Sequence, residues 1–312
     1  WGQVIFVTSA LSSKRKFNLF EDFLIERNIK HFSNYDMSQY ASWRVGAVAP
    51  LIVYPKNLGE FINVIKEAKE RKIKFYLSGN GSNCLFVKLS ETIIISTKKL
   101  NRIKFLGEGR IVVESGASLN LVLNTSLKKG FVGFEFSTGI PGTIGGALIT
   151  NAGANGGTIS ESLESVFFLK NNKEIEVQKN ALTFGYRHSS IRRKDIVTKA
   201  KFKLTVGDTD ESRRNIKKYI KHRNGTQPVK YPSAGSVFMN MDNAKAGKII
   251  EDLGLKGLSI GGAKVSELHA NYIINTGNAK IEDIKGLIEE IQEIAKTKEG
   301  ILLSTEVKII NE

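Results

Sequence analysis

STGIPGTIGGALITNAGANGG, residues Ser137 to Gly157, is the stretch whose reading decides this chain. Seven of its 21 residues are glycine, and it carries one proline, Pro141. Glycine costs about 1 kcal/mol per residue in a helix relative to alanine, so an ordinary helix is not expected here. A flexible linker is excluded as well, because Ile140, Ile144, Leu148 and Ile149 supply apolar anchors. Glycine is needed where the backbone takes positive φ or where another molecule comes close to the main chain. Alternating glycines and anchors point to backbone laid flat against a large ligand. The competing reading is a glycine-rich turn cluster in a sheet protein.

A second bare loop lies upstream. Lys74 to Leu77 reads as a strand, Ser78-Gly79-Asn80-Gly81-Ser82-Asn83 follows, and Thr92 to Ser96 is a strand again. Such a turn offers several main-chain N–H groups as a nest for phosphate. Cys84 stands where a third glycine of the dinucleotide fingerprint would be, and no Gly-Lys-Ser/Thr follows. The loop is therefore neither a Rossmann fingerprint nor a P-loop. A plain hairpin turn is the alternative.

Around these loops the pattern is α+β. Residues 1–40 read as a peripheral segment with a helix near Leu19 to Asn28. Leu51 to Tyr54 reads as a strand, and Asn57 caps a helix with Leu58, Phe61, Ile62, Ile65 and Ala68 on one face. Ile111 to Glu114 reads as a strand. Ser118 opens a helix closed by Gly130. Glu164 to Leu169 and Glu174 to Val177 read as a hairpin turned at Asn171-Asn172, and Val197 to Val206 as one long strand. A basic helix from Asp208, ended by Gly225, marks a domain junction. Beyond it the pattern predicts helices at Ala244 to Leu253 and Ile281 to Lys296 and a last strand at Leu303 to Ile310.

The 312 residues suffice for two domains, and 41% apolar with 25% charged residues is ordinary for a globular protein. No apolar run reaches the ~18 residues that span a bilayer. The mildly apolar start, Trp1 to Leu11, has no basic residue ahead of it and makes a poor signal peptide. The missing initiator methionine implies a trimmed start. One cysteine, Cys84, rules out an internal disulfide or a cysteine metal site, and four scattered histidines show no metal spacing. A cytoplasmic, monomeric protein without metal is expected. Net charge is +15, yet the basic residues are dispersed, and the densest run, RRNIKKYIKHR (213–223), reads as a solvated helix face. Polyanionic small molecules suit this charge better than nucleic acid, for which no signature is present.

Three places pair reactive side chains with constrained backbone: Arg187 in FGYR, Ser236 in AGSVF, and Glu306 in TEV. A serine proton donor, an arginine against growing negative charge and a glutamate to orient them suit a reaction through an enolate. Each has a bland alternative: a surface ion pair, a turn and a strand-face charge. Ser236 is outside any Gly-x-Ser-x-Gly elbow, so hydrolase chemistry is not expected.

The ordered set WRVGA (43–47), LSGNGSN (77–83), STGIPGTIGGALITNAGANGG (137–157), FGYRHS (184–189), YPSAGSVF (231–238), AGKIIEDLGLKG (246–257), GGAKVSELHANYIIN (261–275) and TEVKII (305–310) resembles the UDP-N-acetylenolpyruvoylglucosamine reductase family of flavoenzymes, over roughly residues 40 to 310. The resemblance implies an α+β fold. An FAD-binding module of the vanillyl-alcohol-oxidase (PCMH) type in two subdomains would cover 41–207, and a C-terminal substrate domain 208–312. It implies non-covalent FAD, with the diphosphate at Gly79, Asn80, Gly81, Ser82 and Asn83. The flavin would lie against Thr138, Gly139, Gly142, Gly145, Gly146, Asn151 and Gly153. Cys84 need not tether it.

The implied reaction belongs to peptidoglycan precursor synthesis. NADPH reduces FAD, the flavin gives a hydride to the β-carbon of an enolpyruvyl ether on a UDP-sugar, and Ser236 protonates the α-carbon. Arg187 and Glu306 would stabilise the enolate, and Asn240 would bind substrate. Met239 and Thr226 depart from basic residues frequent in the family, and Lys230 is the candidate to compensate. The short segment from Arg187 to Ser236 matches the family form without a tyrosine-bearing loop over the substrate. Two other readings stand against this one: a sugar or hydroxy-acid oxidase on the same FAD scaffold, and a non-enzymatic basic binding protein.

Overall fold

The computed structural model of the chain describes residues 3–192 and 194–311, with side chains from residue 15 onward. Trp1 and Gly2, at the head of the mildly apolar start, and Glu312 lie outside the described residues.

The first sheet has four strands in the order His31–Asp36, Val48–Val53, Thr92–Ser96, Lys74–Ser78. The first pair is antiparallel and the other two are parallel. A parallel neighbour needs a crossover, and helix Leu58–Glu70 supplies it between Val48–Val53 and Lys74–Ser78. Asn57 caps that helix by accepting the Glu60 N–H at 2.9 Å. All five residues of Thr92–Ser96 are buried, as a strand covered on both faces requires. Leu51, Val53, Ile93 and Ile95 pack with Phe20, Leu24, Phe61 and Ile65 of two helices. Ala49, Ile52 and Ile94 pack in a second cluster with Met37, Tyr40, Phe86 and Ile310.

The second sheet is antiparallel, in the order Lys173–Gln178, Leu163–Lys170, Val197–Lys203, Arg110–Glu114, Ile103–Gly107. Asn171 and Asn172 turn its hairpin at φ 50° and 61°, the double positive φ that a tight two-residue turn demands. Helix Leu119–Lys128 starts at Ser118, whose Oγ accepts the Leu121 N–H at 3.1 Å, and Gly130 beyond its end takes φ 81°. Leu119, Val122, Leu123 and Leu127 cover this sheet together with Ile144, Leu148 and Phe134.

The third unit is a three-stranded antiparallel sheet, Ser259–Ile260, Ala263–Val265 and Ile273–Asn275. Helices Ala246–Asp252 and Ile281–Glu299 cover it, the latter through Ile284, Leu287, Ile288 and Ile291. Trp43, from the chain leading into the first sheet, is fully buried in this same cluster. Its Nε1–H donates to the Ile273 carbonyl at 2.7 Å, and Asn275 Nδ2 donates back to the Trp43 carbonyl at 3.0 Å. A second tie is the parallel pairing of Lys308–Asn311 with Cys84–Lys88.

Several expectations change. The helix expected at Leu19–Asn28 spans Gln3–Glu26, and residues 31–40 are integral rather than peripheral. The polar run Ser12 to Lys16 masked the helix, and HFSNYD shows too few apolar residues to announce an edge strand. The glycine-rich stretch does hold a short helix, Ile144–Thr150, because Ile144, Ala147 and Leu148 are buried on one side of it. The long strand breaks at Leu204, where Thr205–Val206 turns to pair with Phe131–Val132. The basic helix runs through Gly225 to Thr226. The last strand begins at Lys308, since the preceding residues pair only through an isolated Phe238–Thr305 bridge.

Trp43→Ala is expected to destabilise the fold by about 3–5 kcal/mol through the cavity it leaves. Trp43→Phe keeps a ring but orphans the Ile273 carbonyl, at a cost of about 1–3 kcal/mol. Denaturant titration of both variants measures the two contributions.

Candidate active site

The two bare loops meet. A Cβ on Gly79 would lie 2.2 Å from Thr143 Oγ1, so only glycine lets the strands come this close. Asn80 Nδ2 donates to the Pro141 carbonyl at 2.8 Å, tying the same loops a second time. Beneath the first loop lies Tyr40. A Cβ on Gly81, which takes φ 64°, would sit 2.9 Å from the Tyr40 ring. The Tyr40 hydroxyl bonds to the Gly79 carbonyl and faces the Ser78 carbonyl at 3.1 Å and Ser96 Oγ at 3.0 Å. Burial pushes this phenol well above its ordinary pKa.

The loop residues fit a nucleotide cofactor. Among the described residues, the main-chain N–H groups of Gly79, Asn80, Gly81 and Ser82 have no acceptor in the chain. Four free donors in one turn form a nest for an anion. At Gly142 a Cβ would make ordinary contact with Ile140 and Leu119 at 3.7 Å, and at exposed Gly146 its nearest neighbour would be Thr143 Oγ1 at 3.7 Å, so neither position requires glycine for want of room. Gly145 is different: its N–H donates to the Ser115 carbonyl at 2.7 Å, and it packs against protein. Gly139, at φ 82°, lies against the Cδ and guanidinium of Arg223. Thr138 is buried and donates to the Glu135 carbonyl at 2.8 Å. Asn151 ends the short helix at φ 44°, and its Nδ2 donates to the Gly185 carbonyl at 2.9 Å. Its Oδ1 is buried without a partner, an acceptor left over for a ligand's N–H.

The candidate catalytic side chains are brought to the same place. Arg187 turns the hairpin between Phe184–Gly185 and His188–Ser189 at φ 52°, a left-handed conformation that disfavours a long side chain. Two contacts hold it: Nη1 donates to the Gly153 carbonyl at 2.9 Å, and Nε lies 2.9 Å from Glu306 Oε1. At 2.9 Å the two side chains form a close ion pair. Burial raises the Glu306 carboxyl above its ordinary range, although Arg187 pulls the other way. Ser236 reaches the pair through one residue. The Val237 N–H donates to the Asn271 carbonyl at 2.9 Å, and the Val237 carbonyl accepts the Glu306 N–H at 2.8 Å. Asn83 completes the circuit, its Nδ2 donating to the Glu306 carbonyl at 3.3 Å and its own carbonyl accepting the Lys308 N–H at 3.0 Å.

Asn240 stands apart from this cluster in its bonding: its Oδ1 accepts the Ala246 N–H at 3.0 Å and starts a helix. Lys230 is exposed. Cys84 is half-buried at the start of its strand, with its Sγ 3.6 Å from the Tyr76 hydroxyl. Tyr40 and Arg223 were not legible as site-forming, because each acts across 38 residues or more of sequence and lies outside the two glycine loops; Thr143 lies within the glycine-rich stretch, but its contact with Gly79 was not legible. A separate open hollow of about 670 Å³, lined by Ser160, Glu164, Gln178, Leu182 and Phe184, includes none of the cofactor-loop or catalytic residues. Among the described residues no cluster of three metal-ligating side chains occurs.

Gly79→Ala is expected to lower stability by about 1–3 kcal/mol through overpacking. Thr143→Ala, which removes the colliding Oγ1, restores most of the loss in the double variant, a coupling that a double-mutant cycle of thermal melts measures. Glu306→Gln tests the carboxyl's burial. A raised folded-state pKa contributes stability fully present below the ordinary value, 4.5, and lost as pH rises through the raised one. The melting temperature of the glutamine variant therefore gains on the parent as pH rises above about 4.5.

Comparison with known proteins accounts for both halves. Residues 49–175 match the model of an FAD binding domain, and residues 227–310 match that of the UDP-N-acetylenolpyruvoylglucosamine reductase C-terminal domain. A UDP-N-acetylenolpyruvoylglucosamine reductase of Caldanaerobacter subterraneus subsp. tengcongensis is 40% identical over 286 residues, 91% of this chain and 94% of that protein. The Clostridium novyi reductase is 39% identical over 295 residues, 94% of this chain and 95% of that one. The crystal structure of the Thermus caldophilus reductase superposes with a TM-score of 0.77 at 29% identity, over 91% of this chain and 99% of that chain. The fold is thus an FAD-binding domain followed by a C-terminal domain of the reductase kind, and the chain belongs to the UDP-N-acetylenolpyruvoylglucosamine reductase family.

Proposed function

We propose that this protein is an NADPH-dependent flavoenzyme, a UDP-N-acetylmuramate dehydrogenase, that reduces UDP-N-acetylglucosamine enolpyruvate in peptidoglycan precursor synthesis. Residues 41–207 hold FAD without a covalent bond, and residues 208–312 hold the UDP-sugar. The single observation that carries the reading is the Arg187–Glu306 pair. It is anchored on the Gly153 carbonyl of the glycine-rich loop and lies one residue's hydrogen bonds from Ser236. A sugar or hydroxy-acid oxidase has no use for a proton donor beside a cation at this point.

FAD, when bound, takes reducing equivalents from NADPH and delivers a hydride to the β-carbon of the enolpyruvyl ether. The rest falls to the chain. The free N–H groups of Gly79 to Ser82 bind the cofactor's diphosphate. Asn151 Oδ1, buried without a partner, would be available to accept from the flavin ring. Arg187 opposes the charge that grows on the substrate's carboxylate as the α-carbon becomes enolate-like. Glu306 fixes the guanidinium, and Ser236 Oγ gives its proton to the α-carbon. Lys230 and the Asn240 amide contact the UDP-sugar. The net charge of +15 draws three polyanions toward one cleft. No described helix is long and apolar enough to cross a membrane. The reading places the enzyme in the cytoplasm as a monomer.

Purified protein reconstituted with FAD is expected to be yellow, to bleach with NADPH, and to consume NADPH with UDP-N-acetylglucosamine enolpyruvate. Oxygen consumption with a sugar would instead indicate an oxidase. In Ser236→Ala, bleaching by NADPH proceeds at the parental rate, while reoxidation by the enolpyruvyl substrate falls by about 10²-fold or more, the scale of a lost general acid. Equal rates in both half-reactions would remove Ser236 from the role.

A further inference from the structure

One cation beside the first glycine loop has no part in the function as described. Strands Lys74–Ser78 and Thr92–Ser96 are parallel neighbours that end in register, Ser78 against Ser96. Loop 79–83 leaves the first strand and turn 97–100 leaves the second. Both therefore sit at the carboxyl end of the strands, the side on which open parallel sheets bind ligands. The turn is fixed: the Thr97 N–H donates to the Ser78 carbonyl at 2.9 Å, the Leu100 N–H to the Thr97 carbonyl at 2.8 Å, and the Gly116 N–H to the Leu100 carbonyl at 2.8 Å. From this turn Lys98 reaches over Tyr40, with its Nζ 3.8 Å from the ring centroid. The same ring lies against Gly81, and its hydroxyl holds the Gly79 carbonyl. One phenol thus touches both the loop with four free N–H groups and the ammonium. Lys98 is half-buried, whereas its neighbour Lys99 is exposed. Among the described residues no carboxylate pairs with Lys98, and burial holds its ammonium below the ordinary lysine value.

We propose that Lys98 is a cofactor-binding residue whose ammonium is the counter-charge to the diphosphate held by the N–H groups of residues 79–82. A ring face offsets only part of the cost of taking an ammonium out of water, and an arriving anion offsets the rest. The four N–H groups bring partial charges alone, while a diphosphate brings formal negative charge. A full cation beside it makes charge-assisted contacts, roughly twice as strong as neutral ones. Tyr40 is clamped by the Ser78 and Gly79 carbonyls and Ser96 Oγ, so it fixes where the ammonium stands relative to the loop. The role is binding only: Lys98 forms and breaks no covalent bond. It accounts for a lysine held half-buried without an acidic partner.

The inference rests on the loop holding FAD, and the test separates the two. Lys98→Met keeps an unbranched stem and removes the charge. FAD titrated into protein stripped of flavin, followed by flavin fluorescence, is expected to show a dissociation constant raised about ten- to hundredfold, the range for a contact with a charged group. Added KCl weakens binding more steeply in the parent than in Lys98→Met, which has one ion pair fewer to screen. Lys98→Arg, which keeps the charge, recovers most of the affinity. Without FAD, the melting temperature of Lys98→Met equals or exceeds the parent's, since no paired charge is lost, and its rise on adding FAD is smaller. The phosphorus NMR resonances of the bound FAD diphosphate shift between parent and Lys98→Met. Parental affinity, salt response and phosphorus shifts in Lys98→Met refute the proposal and leave FAD in the loop. Weaker affinity with unmoved phosphorus resonances, or a lower melting temperature without FAD, overturns it in favour of a packing role for the lysine stem. If FAD binds as in the parent but half-saturation by NADPH in flavin reduction rises, the diphosphate recognised is the co-substrate's and the assignment to FAD fails. If the parent itself binds no FAD, the reading of the loop falls with it.

Discussion

The structure depends on the bare main chain at Gly79 seating directly against the side chain of Thr143. Gly79 and Thr143 touch, and Asn80 reaches the Pro141 carbonyl. A methyl added at Gly79 would put its carbon 2.2 Å from Thr143 Oγ1, where about 3.4 Å is ordinary contact, so the Thr143 side chain or the loop would have to shift. Everything else is arranged to keep that approach rigid. Tyr40 props the first loop from below, and the short helix Ile144–Thr150 anchors the second through buried Ile144 and Leu148. Interiors at this packing density do not deform smoothly, so a displaced loop would carry its neighbours with it.

The acid cluster shows the opposite economy, with strain and desolvation accepted locally. Arg187 at positive φ and Glu306 with a raised carboxyl are both unfavourable in isolation. They persist because each answers the other and because Gly153, Val237 and Asn83 fix the backbone around them. Such local costs of about 1–3 kcal/mol gather where chemistry is done, and here the outlier and the proposed charge-stabilising role coincide.

Much of this was legible in the sequence. The α+β pattern, the Asn57 and Ser118 caps and the Asn171-Asn172 turn follow from local rules, and all were found where those rules put them. The two bare loops were legible as places of close main-chain approach, because glycine has few other reasons to cluster among apolar anchors, and the structure brings them against each other. What stayed hidden was long-range. Nothing local marks Trp43 as the residue that joins two lobes across 230 positions. The helix through Gly145 and Gly146 was missed because propensity argued against it, and burial of Ile144, Ala147 and Leu148 overrode propensity. Asn271 lies inside a quoted motif, yet no spacing rule ties it to Phe238, 33 residues earlier.

The parallel ladder between Cys84–Lys88 and Lys308–Asn311 carries a consequence for how the chain is made. On the ribosome, the strand just after the first bare loop emerges with its partner still more than 220 residues from being synthesised. At ~5–20 residues per second that interval is roughly ten to forty seconds. Through it the first lobe has an unsealed β-edge, and the register that aligns Asn83 with the glutamate strand does not yet exist. The contact between Asn83 and Glu306 is therefore a late event, set by synthesis of the strand Lys308–Asn311 rather than by collapse of either lobe.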